Sequence, residues 1–129
     1  MTALPVTPAP LPPSEPPLVE ARVAVPDAES ARRLADDLVG RQLAACVQVL
    51  GPMMSFYTWE DEVQHHEEWL LLAKTTAQSF PELAEAVVSQ HRYDVPEVIA
   101  VPVTQALSSY ASWVRRGSDG IPDEPRAGA

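Results

Sequence analysis

Apolar positions along this chain follow two periods in turn. Leu18 to Val25 (LVEARVAV) alternates well enough to predict a strand. Pro26-Asp27 breaks the pattern. Asp27 is a good N-cap, and Ala28, Ala31, Leu34, Ala35 and Leu38 then recur at helical spacing. Gly40 suits the left-handed position just past such a helix. Leu43 to Leu50 is rich in β-branched and small apolar residues. Gly51-Pro52 marks a turn, Met53 to Trp59 predicts a second strand, and a third runs from about Val63 to Thr75. Ser79 and Glu82 have capping-box spacing ahead of a helix made apolar by Leu83, Ala84, Ala86, Val87 and Val88. Val98 to Thr104 predicts the next strand, and Pro102 places it at an edge or a strand end. Ser108 or Ser109 then caps a short last helix, with Tyr110, Trp113 and Val114 on one face and Gly117 stopping it.

Helices that follow the first and third strands of a four-stranded antiparallel sheet describe an α+β, ferredoxin-like split βαβ sandwich. A long β-hairpin, Met53 to Thr76, and a short C-terminal helix complete it. Two helices cover one sheet face, so the other face should be polar in a monomer. It is not: Trp69 to Ala73 (WLLLA) is an unbroken apolar run. Something else must bury that face, and another copy of the chain is the natural candidate, since most soluble oligomers are homo-oligomers.

The first 17 residues hold half of the chain's 14 prolines. Proline lacks an N–H and fixes φ, which predicts a disordered, polyproline-like arm over residues 1–17. The expected domain is 18–117, with a flexible tail over 118–129. The start of the chain lacks the basic n-region and unbroken apolar core of a secretory signal, and no run is long enough to span a membrane. Eighteen acidic and nine basic residues give a formal net charge of −9, which argues against a nucleic-acid backbone as partner. The single cysteine, Cys46, implies no disulfide framework, so the cytoplasm is the expected compartment.

The densest chemistry lies in His91-Arg92-Tyr93-Asp94-Val95-Pro96-Glu97, which joins a predicted helix to a predicted strand. Cys46 is either a soft thiolate ligand or a small apolar side chain in a strand. His91 is either a ligand or a hydrogen bonder at a helix end. Glu97 is a hard oxygen ligand, a carboxylate that holds His91 in one tautomer, or a plain surface residue. In His65-His66-Glu67-Glu68, strand alternation sends the two histidines to opposite faces, so they do not converge. If the stem of Lys74 is buried between subunits, its ammonium needs a carboxylate or an anionic ligand. Tyr57, Trp59, Tyr93 and Trp113 fit a core, a subunit interface or a cleft better than a stacking site. No phosphate loop, nucleophile elbow or zinc helix is present, so no enzymatic activity is expected; only a Cys46–His91 nucleophilic pair stays formally open.

Four stretches resemble the CutA divalent-cation tolerance family in order and spacing. They are Leu43 to Val47, Ser55 to Glu60, Glu68 to Thr75, and His91 to Glu97, with Tyr110 and Trp113 matching the closing helix. The resemblance covers roughly Val19 to Ser118. It implies a homotrimer with long hairpins that pair between subunits, binding of copper or another divalent metal, a role in metal tolerance, and no organic cofactor. Cys46, His91 and Glu97 become the metal-ligand candidates. The PII signalling proteins share this architecture, and by that analogy the alternative is a trimeric module that binds a small anion or metabolite between subunits. A scaffold that anchors a partner through the proline-rich arm is a third reading. The chain departs from the family pattern at Gln48, at Asp61 and above all at Arg92, a cation beside His91.

Overall fold

Asp27 starts the first helix as its side chain predicts, accepting a hydrogen bond from the Ser30 N–H at 2.7 Å. The structure, a computed structural model, describes residues 9–10 and 15–120. In chain order the elements are β1 (Ala9–Pro10), β2 (Leu18–Val25), α1 (Ala28–Gly40), β3 (Cys46–Trp59), β4 (Glu62–Thr76), α2 (Phe80–Gln90), β5 (Val98–Val103), β6 (Gln105–Ala106) and α3 (Ser108–Gly117). The main sheet has the order β3-β4-β2-β5, antiparallel throughout. This is the expected α+β, ferredoxin-like arrangement, and Pro102 does sit on an edge strand.

One sheet face carries the core. Ala21, Val23 and Val25 of β2 and Leu71 and Ala73 of β4 pack against Leu34 and Leu38 of α1 and Leu83, Ala86 and Val87 of α2. The opposite face presents Leu70 and Leu72 half-buried and Leu50 and Ile99 exposed, with no layer over them among the described residues. Among the described residues this face is covered only at its two ends, where Ala111 and Val114 of α3 pack on Leu18 and where Tyr93 reaches over Glu68. Length sets a second boundary. Fifteen residues of β4 extend about 50 Å, whereas thirteen of α1 reach only about 20 Å. The helices therefore end well before the hairpin does, and its outer part projects past them.

Several sequence expectations are corrected here. The helix ends on Gly40, and the left-handed conformation falls on Gln42 instead (φ 56°). Gly51-Pro52 is no turn. It is an irregularity inside one continuous β3, between Leu50 and Met53, with a cis peptide. The backbone there lies on the Trp69 ring, so closely that a Cβ on Gly51 would sit 2.5 Å from it. Leu43 and Ala44 belong to the buried turn before β3. Ser79 makes no capping box, because its hydroxyl donates to the Ser118 carbonyl. Leu107, with no side-chain bond, precedes α3, and the helix buries Ala111 and Val114 while Tyr110 and Trp113 stay exposed.

Of the arm, residues 1–8 and 11–14 lie outside the described residues. Ala9–Pro10 pairs with Gln105–Ala106, Arg115 is ion-paired with Glu15 at 2.5 Å, and its Nε donates to the Pro16 carbonyl at 3.1 Å. At the other end Ser118 is fully buried and its hydroxyl donates to the Val114 carbonyl. Residues 121–129 lie outside the described residues.

Candidate functional site

Beyond the last turn of α2 the backbone becomes extended at His91 (φ −84°, ψ 141°), and the loop to β5 crosses the end of β2. His91 anchors that crossing. Its Nε2 lies 2.6 Å from the Ala24 carbonyl, and its Nδ1 is 3.1 Å from the Tyr93 N–H. A carbonyl only accepts and an amide N–H only donates, so Nε2 carries the proton and Nδ1 accepts. Both ring nitrogens are thereby used. The Ala24 carbonyl, and not Glu97, holds the tautomer.

Tyr93 turns back over the sheet, and its hydroxyl donates to Glu68 Oε2 at 3.0 Å. Burial, then the Glu68 hydrogen bond and charge, push the phenol up to about 12. Glu68 is itself only 8 % exposed. Arg92, the unusual cation, lies 3.3 Å from Asp27 Oδ2. The hydrogen bond from the Ser30 backbone holds the Asp27 carboxyl below its ordinary value, with Arg92 adding to the effect.

Between this loop and the projecting hairpin lies a cleft of about 640 Å³. Tyr57, Trp59 and Tyr93 give it aromatic walls, while Glu68, Asp94 and Glu97 give it carboxylates. Strand register explains the hairpin side. Met53 pairs with Glu68 and Tyr57 with Gln64, so the odd positions of β3 share a face with the even positions of β4. The hairpin closes through Glu60 and Asp61, both left-handed (φ 52° and 65°), in a two-residue turn that usually favours Asn or Gly. Phe56 pairs with His65 and Tyr57 stacks on His66 at ring distances of 5.6 and 5.5 Å, and the two histidines stay apart as alternation predicts.

The metal-ligand candidates do not converge within one chain. Cys46 opens β3 opposite Lys74, which pairs with Glu20. His91 touches Ala24, four residues further along β2, on the order of 13 Å away along the strand alone. The same separation leaves no Cys46–His91 nucleophilic pair in one chain. Glu97 lines the cleft beside Ala24, far from Cys46. Among the described residues no three His, Cys, Asp or Glu side chains are grouped to hold a metal ion.

Cys46 has other neighbours. Burial, with Cys46 next to it, raises the Tyr110 phenol above its ordinary value. Lys74 finds the expected carboxylate: its Nζ is 3.2 Å from Glu20 Oε2 and donates to Gln48 Oε1 at 2.9 Å. Burial alone would raise the Glu20 carboxyl, but hydrogen bonds and charge from Arg22 and Lys74 outweigh it and hold the group below its ordinary value. Trp113 lies on α3, with its ring 5.7 Å from Tyr110. Glu68, which the sequence reading considered only as part of the His65–Glu68 run, lines the cleft. The alternation Glu68, Leu70, Leu72, Lys74 places that carboxylate on the uncovered apolar face.

Comparison with known proteins places this architecture. The profile of the family described as CutA1 divalent ion tolerance protein matches residues 20–117. The divalent-cation tolerance protein CutA of Thermus thermophilus is 42% identical over 96 residues, which is 74% of this chain and 93% of that protein. Chloroplastic CutA of Arabidopsis thaliana is 39% identical over 102 residues; the match covers 79% of this chain but only 56% of that protein. The solved structure of the divalent cation tolerance protein from Thermus thermophilus superposes with a TM-score of 0.77 at 40% identity, covering 78% of this chain and 98% of that one.

Proposed function

Because this chain belongs to the CutA1 divalent ion tolerance family, we propose that it serves tolerance of divalent cations as a homotrimer, copper being the first ion to test. Metal is taken where side chains of different subunits meet, since no single chain groups a ligand set among its described residues. The uncovered sheet face carries this reading. It offers Leu50, Leu70, Leu72 and Ile99 to a partner, on a sheet whose outer strands β3 and β5 each have one unpaired edge. Half-buried Cys46 lies at the margin of that face and is this chain's soft-ligand contribution. The role is binding rather than catalysis, and the cytoplasm is its expected setting. Copper titration tests the assignment. Cys46→Ala lowers the affinity, whereas His91→Ala, whose nitrogens are already used, leaves the isotherm unchanged. Equal isotherms for wild type and Cys46→Ala contradict it.

A further inference from the structure

The proline-rich arm meets the rest of the chain at both ends of α3. Ala9–Pro10 pairs with Gln105–Ala106 just ahead of the helix, and Glu15 and Pro16 hold Arg115 in its last turn. We propose that the arm is a strap. Latched on Arg115, residues 15–17 keep α3 seated on the start of β2, and release of the latch loosens that helix while the rest of the protomer stays folded.

The latch is built around one guanidinium. Arg115 Nη1 lies 2.5 Å from Glu15 Oε2, and its Nε donates to the Pro16 carbonyl at 3.1 Å. Both partners come from the arm. The Arg115 side chain is only 12 % exposed, and its Nη2 is buried with no partner among the described residues. A cation this deep that loses its carboxylate is left uncompensated, and moving it toward water relieves the cost. The strap is also stiff. Pro16 and Pro17 fix φ and so have little conformational freedom to lose on docking. The Pro17 carbonyl accepts from the Ala77 N–H at 2.8 Å, which fixes the strap where it enters β2.

The helix depends on such support. Of its ten residues only Ala111 and Val114 are buried, and Leu107 gives it no side-chain cap. A helix this short is marginal without tertiary contacts. Ser118, fully buried, anchors the chain just beyond it, so loosening stays confined to α3. All of these contacts join residues of one chain, and none requires a surface left open to solvent.

Hydrogen exchange of the full chain in its native assembly, read by mass spectrometry, tests the strap. Glu15→Ala, at an exposed position, should speed exchange of the α3 amides about tenfold while α1 and β4 keep their protection. In an Arg115→Ala background the same change should add nothing, because its contact is already gone. Unchanged α3 exchange in Glu15→Ala overturns the proposal. So does equal acceleration in α1 and β4, or a second full acceleration in the Arg115→Ala background.

Discussion

Leu71 and Leu72 are neighbours on β4 and live in different environments. Leu71 has no exposure and lies between the sheet and both helices. Leu72 is half-buried on the opposite face, where α3 packs only at the far end, on Leu18. The two faces of one strand therefore do different work. The helix-covered face holds the protomer together, whereas the other face carries Glu68, Leu70 and Lys74 and is the one that the proposed homotrimer would cover. An apolar face of this kind is an interaction surface, because leaving it in water forgoes roughly 25 cal/mol per Å².

The comparison breaks most visibly through paired substitutions. Leu71→Ala should cost about 3 kcal/mol of protomer stability in urea denaturation, from lost transfer energy and a cavity. Leu72→Glu should leave secondary structure intact by circular dichroism and dissociate the assembly, since it puts a carboxylate into an apolar contact. Equal unfolding losses from both would erase the distinction between the faces.

His91→Ala sharpens it at the edge of the covered face. Losing the hydrogen bonds to Ala24 and Tyr93 should lower stability by about 1–2 kcal/mol. A copper affinity that falls with it would restore His91 as a ligand.

Asp61→Gly acts outside both faces, at the hairpin tip. It relieves a left-handed residue and should raise stability by about 0.5–1 kcal/mol, without changing the assembly. A loss of stability would mean that the Asp61 side chain makes contacts in the assembly.

The smallest effect is at high pH. The Tyr93 phenol stands near 12 in the folded chain against an ordinary 10.0. Its protonated form is favoured by folding, so the contribution is complete below pH 10 and is lost as pH rises from about 10 to 12. Chemical denaturation across that window should show the loss, and Tyr93→Phe should flatten it.

Much of this was legible in the sequence because it is local. The Asp27 cap, the strand alternation and the helical spacing of Ala31, Leu34 and Leu38 each depend on residues within a turn or two. What escaped was set at a distance. Gly51-Pro52 reads as a turn until Trp69 is placed beneath it. Ser79 reads as a cap until Ser118, 39 positions later, takes its hydroxyl. His91 reads as either a ligand or a hydrogen bonder until the Ala24 carbonyl, 67 positions earlier, takes its Nε2–H. Four motifs in order identified the family, but the site depended on contacts that no local pattern contains.

The uncovered face makes the central claim simple to measure. Sedimentation equilibrium should give a mass three times the 14.0 kDa of one chain, falling to a single chain for Leu72→Glu. A wild type that sediments as a monomer at micromolar concentration, with Leu70 and Leu72 left in water, would contradict the account.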